Sequence, residues 1–310
     1  MEREIRWKRG RRLGMGSFGV VSLAEAYDEG RCNSPLLMAM KTAPLSLSCS
    51  LRKERDLLRE LEGCPYVLRC FGDEVSTENG VELYNIMLEY ASGGSLGDCI
   101  QSSGKGLAEY EVRRYTKNML MGLSYIHEQC YVHCDIKPHN ILLVGEEDSA
   151  SLINPKLKRV ENTAKIADFG LAMKIEEKRS PKLRGTPMYL APESVRHQEY
   201  QPPSDIWALG CTVLELITGT TPWHCEPHAE TCALLYRIGL GKTLPEIPSW
   251  VSAEAKDFLK KCLVHDPKSR WSADMLLGHP FVLTMDNTPK DAKELRSCAD
   301  HQFRVHHLIF

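Results

Sequence analysis

The sequence predicts an α+β fold in two lobes, a small strand-rich one followed by a larger, mainly helical one. Two observations carry this. Up to about residue 90, apolar residues come in short β-type runs punctuated by glycine; beyond residue 108 they recur at helical spacing over long stretches. Where the pattern changes, Ser92-Gly93-Gly94-Ser95 interrupts both regimes and reads as a hinge. A chain of 310 residues that is 43% hydrophobic can bury two such lobes, and its composition argues against wholesale disorder.

Taken in order, residues 13–27 crowd glycines into their first half and β-formers into the second, which predicts strand, glycine turn, strand. Residues 37–41 form a short apolar strand ending in Lys41. Residues 51–61 place Leu51, Leu57, Leu58 and Leu61 among charges at helical spacing. Residues 67–75 and 83–90 predict two more strands. After the hinge, 108–129 carries a long apolar stripe (Val112, Tyr115, Met119, Leu120, Leu123, Ile126), which predicts an amphipathic helix. Residues 204–218 are apolar on nearly every face and predict a buried central helix. Amphipathic helices are predicted over 229–240 and 253–263. The polar segment 145–163 predicts an exposed, idle loop. The tail from Asp286 shows no periodicity beyond a terminal apolar cluster, and no internal repeat is evident.

Composition narrows the function classes. A net charge of -2 supplies no pull toward nucleic acid or an anionic membrane. The longest apolar run, 206–217, is too short to cross a bilayer and contains Glu215, so no membrane insertion is expected. The 12 cysteines come without a Cys-x-x-Cys pair, an apolar leader or an Asn-x-Ser/Thr acceptor, which favours reduced thiols over a disulfide framework or a zinc site. The cytoplasm is the expected compartment. The basic N-terminus leaves the nucleus open, but it runs directly into the first strand and reads as solvated charge.

Four pieces, in this order, carry chemistry. Gly14-Met15-Gly16-Ser17-Phe18-Gly19 is a glycine flap. The same spacing occurs in dinucleotide folds, where the loop opens a helix; here Val20-Val21-Ser22-Leu23 continues as strand, so backbone N–H groups would cover a nucleotide from above. Lys41 ends the next strand, and Glu54 on the following helix is its predicted partner, chosen over Glu60 because its register turns Leu58 and Leu61 to the core. A Lys–Glu pair of this kind holds an ammonium against phosphates. In His133-Cys134-Asp135-Ile136-Lys137-Pro138-His139-Asn140, Asp135 is the candidate base for an alcohol and Lys137 can offset charge on a moving phosphoryl group. Asn140 and Asp168 (in Asp168-Phe169-Gly170) offer an amide oxygen and a carboxylate, hard ligands suited to Mg²⁺. Together these pieces imply phosphoryl transfer from ATP to a hydroxyl.

With those motifs in view, residues 7–281 resemble a eukaryotic protein kinase catalytic domain. Ala191-Pro192-Glu193, Asp205-Ile206-Trp207-Ala208-Leu209-Gly210, Arg270 and His279-Pro280-Phe281 extend the resemblance. It implies the bilobal kinase fold: an N-lobe over about 7–91, with a small antiparallel sheet and one helix, and a mainly helical C-lobe over about 92–281. Residues 282–310 form a tail of unassigned role. It further implies that Asp205 braces the catalytic loop, that Arg270 pairs with Glu193, and that adenine lies against Leu13, Val21 and Ala39. Glu89 and Ala91 would supply the hinge hydrogen bonds, Leu88 the rear wall and Leu142 the floor. Lys137 and Thr186 occupy the positions that distinguish serine/threonine kinases, where Thr186 contacts the catalytic aspartate and lysine. The opening Trp7-Lys8-Arg9-Gly10-x-x-Leu13-Gly14 and the run Gly185-Thr186-Pro187 resemble MEKK-type MAP kinase kinase kinases. Leu61-Glu62-Gly63-Cys64-Pro65 with His133-Cys134-Asp135 is most like the short plant members. The resemblance implies MAP kinase kinases as protein substrates, in stress or hormone signalling; a kinase outside that cascade and a pseudokinase scaffold are the rivals.

Two positions depart from the pattern, and one motif is a false match. Cys134 replaces the arginine that anchors a phosphorylated activation loop, which implies a loop held without that switch. Against this, Lys174, Lys178, Arg179, Lys182 and Arg184 crowd the same segment, and Ser180-Pro181 has proline-directed form. Trp271 replaces a proline, with no functional reading. Gly239-Leu240-Gly241-Lys242-Thr243 imitates a phosphate loop but follows Tyr236 where a glycine is required, and ends a helix.

Overall fold

The structure, a computed structural model, describes residues 6–16, 19–27, 36–146, 161–175, 183–223, 231–241 and 243–283. Its N-terminal lobe is one antiparallel sheet of five strands: β1 (Arg6–Gly16), β2 (Gly19–Tyr27), β3 (Leu36–Pro44), β4 (Cys70–Glu78) and β5 (Val81–Glu89), in the order β1-β2-β3-β5-β4. The predicted strand at 67–75 starts later, at Cys70. Val67 instead makes an isolated parallel bridge to Ile166, where Leu68 N donates to Ile166 O at 2.9 Å and Ile166 N to Tyr66 O at 2.8 Å. On one face of the sheet Ala24, Ala26, Met38, Met40 and Met87 pack with Trp7 and Phe71.

Helix α1 (Cys49–Glu60) lies against the sheet's other face and buries Leu51, Glu54, Leu57 and Leu58. A carboxylate among leucines costs several kcal/mol unless it is paired, so Glu54 signals a partner. The chain leaves β5 through the glycine-rich hinge, which is tied to the C-lobe by two backbone bonds: Gly93 N donates to Leu143 O at 3.0 Å and Leu143 N to Gly94 O at 2.8 Å. Ser95 then caps α2 (Leu96–Ser103) in a box with Asp98. The last residue of the predicted hinge is thus also the N-cap of a helix.

The C-lobe is built on α3 (Glu109–Glu128) and α5 (Pro202–Thr218). Every residue of α5 from Ser204 to Ile217 is buried, as its all-round apolar pattern requires. Around this pair lie α4 (Pro192–His197), α6 (Thr231–Leu240), α7 (Ala253–Cys262), α8 (Ala273–Leu277) and α9 (Pro280–Leu283). Trp271, at the C-lobe base, stacks edge-on to His279 and packs on the core, so its role is packing.

Two ribbons carry the catalytic segments: β6 (Tyr131–Val132) with β9 (Met173–Lys174), and β7 (Ile141–Glu146) with β8 (Glu161–Ile166). The second corrects the loop expected over 145–163. Glu146 pairs with Glu161, Gly145 with Asn162 and Val144 with Thr163, so both ends of that segment are strand; residues 147–160 lie outside the described residues. The backbone ladder overrides the polar composition that suggested a loop. The 284–310 tail also lies outside the described residues.

Candidate active site

A cleft of about 670 Å³ separates the lobes. Its lining includes Leu13, Gly14, Gly16, Val21, Ala39, Lys41, Leu88, Glu89, Ala91, Asn140, Leu142 and Asp168. The apolar members come from both lobes, which gives a flat base an apolar slot with polar groups at one end. A Cβ added to Gly14 or Gly16 would meet nothing within 4 Å, so no internal packing demands glycine there. The bare backbone instead leaves room for a ligand to approach the strand. Ser17 and Phe18 lie outside the described residues. Gly19 stands at the far end of the flap, where β2 begins. Its φ is +150°, and a Cβ there would stand 2.4 Å from the Thr42 carbonyl oxygen, so glycine is required by the sheet beneath.

At the polar end, Lys41 Nζ lies 2.6 Å from Glu54 Oε2 and 2.9 Å from Asp168 Oδ1. Burial pushes the Lys41 ammonium down, but the two carboxylates outweigh it and hold the group above the ordinary lysine value. Burial likewise opposes ionisation of Asp168, and Lys41 more than offsets it, so its carboxyl sits below the usual range. Asp168 has a φ of 62° and Cys134 one of 69°, left-handed conformations that non-glycine residues adopt only when their surroundings compel them. Phe169 provides one such constraint: it is buried in the main core, with its ring edge-on to His133 at 4.8 Å.

The catalytic segment sits beside the cleft as one hydrogen-bonded unit. Asn140 Nδ2 donates to the Asp135 backbone oxygen at 2.8 Å and to its Oδ2 at 2.9 Å. That uses the nitrogen and leaves the amide oxygen as the group free to face a cation. Lys137 Nζ pairs with Asp135 Oδ2 at 2.9 Å and donates to Thr186 Oγ1 at 2.7 Å. Thr186 donates to Asp135 Oδ1 through both its amide and its hydroxyl, each at 2.8 Å. From below, Asp205 accepts from the amides of His133 (2.8 Å) and Cys134 (2.9 Å) and from the His127 ring (2.9 Å). Glu193 and Arg270 form a buried bidentate pair at 2.8 and 3.1 Å.

Two participants escaped the sequence reading. His133 anchors the segment internally: its Nδ1 accepts the Asp135 amide at 3.2 Å and its Nε2 bonds the Ala167 carbonyl at 3.1 Å. Lys165 pairs with both oxygens of Glu89 at 2.8 and 2.9 Å, joining β8 to β5 across the lobes. No local pattern in the sequence announces either contact.

Cys134 is buried with Val132, Met173, Leu190 and Tyr200. The surroundings of the Cys134 side chain are therefore mainly apolar, and its thiol donates to the Val132 carbonyl at 3.6 Å. Of the cations expected nearby, Lys174 lies 3.4 Å from Glu60, whose carboxylate also accepts from Tyr131 at 2.7 Å. Lys178, Arg179, Lys182 and the Ser180-Pro181 site lie outside the described residues.

Residues 7–282 match the model of the protein kinase domain, and the chain belongs to that family. It is a serine/threonine protein kinase, a class that uses ATP and a divalent metal ion. Among its relatives are three proteins of Arabidopsis thaliana. Mitogen-activated protein kinase kinase kinase 20 is 42% identical over 90% of this chain and 78% of its own length. Mitogen-activated protein kinase kinase kinases 17 and 18 are each 38% identical, over 90% and 91% of this chain and 70% and 79% of theirs.

Proposed function

We propose that this kinase is a MAP kinase kinase kinase of plant MEKK type that uses Mg-ATP to phosphorylate serine or threonine hydroxyls of MAP kinase kinases. The observation carrying the catalytic reading is the single unit formed by Asp135, Lys137, Asn140 and Thr186 beside a cleft that already contains the Lys41–Glu54–Asp168 pairing. The names of the relatives support the cascade level and the substrate class.

The donor set fits magnesium. Asn140 and Asp168 supply hard oxygens, and no group of three or more metal-binding side chains occurs among the described residues. Two protein ligands, with the remainder from phosphates and water, is the usual arrangement for that ion. When bound, it would offset charge on the phosphates. The other tasks fall to this chain's own groups. Asp135 orients the substrate hydroxyl and accepts its proton late. Thr186 and Lys137 fix the carboxylate, and Lys137 also offsets charge on the transferred group. Lys41, held by Glu54, steadies the nucleotide's phosphates. Leu13, Val21, Ala39 and Leu142 sandwich the base, and the backbone at Glu89 and Ala91 reads its edge. The cytoplasm is the proposed workplace, supported by the free thiols of all cysteines among the described residues.

The test compares phosphorylation of MAP kinase kinases with that of generic basic proteins, using wild type and Asp135→Asn. Wild type should prefer MAP kinase kinases, and the variant should lose roughly a hundredfold or more while remaining folded. Preference for the generic substrates would place the kinase outside the cascade. Equal labelling by the variant would overturn the role of Asp135.

A further inference from the structure

We propose that Arg9 is a positioning residue for the nucleotide, acting through Thr42 and Asn85 to fix the glycine-rich strand over Lys41. This rests on the cleft being a nucleotide site, and it assigns a role to Trp7 and Arg9, the part of the opening motif that does not line that cleft. Trp7 and Arg9 lie on β1, yet both bond across to β4. Trp7 Nε1 donates to Glu74 Oε2 at 2.8 Å. Arg9 Nη2 reaches Glu78 Oε1 at 2.8 Å, and its Nε contacts both Glu78 oxygens at 3.2 Å. The same guanidinium donates to Thr42 Oγ1 on β3 and to Asn85 Oδ1 on β5, each at 2.9 Å. One side chain on β1 thus grips three other strands.

The acceptors are themselves locked. Asn85 is fully buried. Its oxygen also accepts the Thr42 hydroxyl at 2.7 Å, and its nitrogen donates to Ser76 Oγ at 2.9 Å. That network fixes which way the amide points and gives Arg9 a rigid seat.

A bulge explains how Arg9 can face away from the cleft while Leu13 lines it. Along β1 the register steps from Arg9↔Ala24 to Arg12↔Ser22 and then to Gly14↔Val21, so three residues of β1 advance against two of β2 and then two against one. The first extra residue reverses the side-chain alternation between Arg9 and Leu13, and the second falls where the glycine flap begins. On β3 the same alternation puts Lys41 in the cleft and its neighbour Thr42 on the opposite face.

Thr42 is therefore held from both ends of the flap. Arg9, ahead of Gly14, bonds its hydroxyl, while Gly19, at the far end, rests on its carbonyl at a distance that leaves no room for a Cβ. With entry and exit both fastened to the residue after Lys41, the height of the flap above the lysine is set before any ligand arrives. Preorganisation of this kind acts on nucleotide affinity more than on the chemical step.

The test uses Arg9→Ala, Arg9→Lys and the exposed-site control Arg12→Ala in the full chain. The readouts are KM for ATP, kcat, the Kd of a fluorescent ATP analogue, and amide hydrogen exchange over residues 14–21 without nucleotide. Arg9→Ala should raise KM and Kd about tenfold with kcat within about threefold, and speed exchange in that segment. Arg9→Lys should recover part of the loss, because it keeps a charge opposite Glu78 but cannot reach three acceptors at once. Should Arg9→Ala fail to fold, Arg9→Lys and Glu78→Gln must show the same split in smaller measure. Unchanged KM, Kd and exchange in a folded Arg9 variant, or an equal loss in Arg12→Ala, would overturn the proposal. If wild type bound no ATP, the kinase reading itself would fail, while the exchange difference would still report whether Arg9 holds the flap.

Discussion

Thr186 offers a sharp perturbation of the catalytic unit, because one hydroxyl serves two charged partners. It donates to Asp135 Oδ1 at 2.8 Å and accepts from Lys137 Nζ at 2.7 Å. Thr186→Val keeps the shape and removes both bonds. The lysine side chain is 22% exposed, so water can replace its lost acceptor and that loss is small. Asp135 is buried and retains the Thr186 amide, Asn140 and Lys137, so it loses one charge-assisted bond out of four. Such a bond contributes about 1.5–3 kcal/mol. If it acts wholly in the transition state, kcat should fall by roughly 10- to 150-fold. Thr186 does not line the nucleotide cleft, so KM for ATP should stay within about twofold. Thr186→Ser, which restores the hydroxyl, should lie within about threefold of wild type. Steady-state kinetics on one protein substrate measures all three. A Thr186→Val enzyme with wild-type kcat would refute the claim that this hydroxyl holds the Asp135 carboxylate.

Two further outcomes follow from buried groups. The apolar seat of Cys134 implies an activation segment held without a phosphate, so exhaustive phosphatase treatment should change activity by less than about threefold; a gain of about a hundredfold on phosphorylation would contradict it. Burial pushes the Glu215 carboxyl up, against the Tyr189 hydroxyl that donates to it at 2.6 Å. A carboxyl raised in the folded state supports folding while protonated, and that support is lost as pH rises through its folded value. Glu215→Gln keeps an acceptor for Tyr189, so its Tm should exceed that of wild type at neutral pH, with the gap closing toward about pH 4, near the unfolded value. A gap that widens in acid would reverse the sign and refute the reasoning.

Long periodic elements were legible from the sequence because their pattern repeats enough times to be read: α3, α5, α7 and the β1–β2 hairpin all announced themselves. Short elements did not. The helices Pro192–His197, Ala273–Leu277 and Pro280–Leu283 span too few turns to display a period, and they form because the core around them is already built. Helix α2 did leave a signal, the Ser95/Asp98 box, but the neighbouring glycines drew attention to the hinge instead. The β7–β8 ribbon was hidden because its outer pairs (Glu146 with Glu161, Gly145 with Asn162) are polar, and cross-strand pairing is not a property of either segment alone. The site divides along the same line. Lys41, Asp135, Asn140 and Asp168 stand in compact motifs, whereas Lys165 with Glu89 and Arg9 with Asn85 meet only through the fold.

The bonds from Trp7 and Arg9 to Glu74 and Glu78 bear on the margins of the N-lobe sheet. β1 and β4 are the two outermost strands of the sheet, and an outermost strand normally offers a row of unpaired N–H and C=O groups to any neighbour. Here the two margins curl toward each other until their side chains clasp. A second chain seeking to add itself to either margin would first have to pry the clasp open. The clasp thus leaves the sheet curled, where a flat margin would be the better template for a further strand.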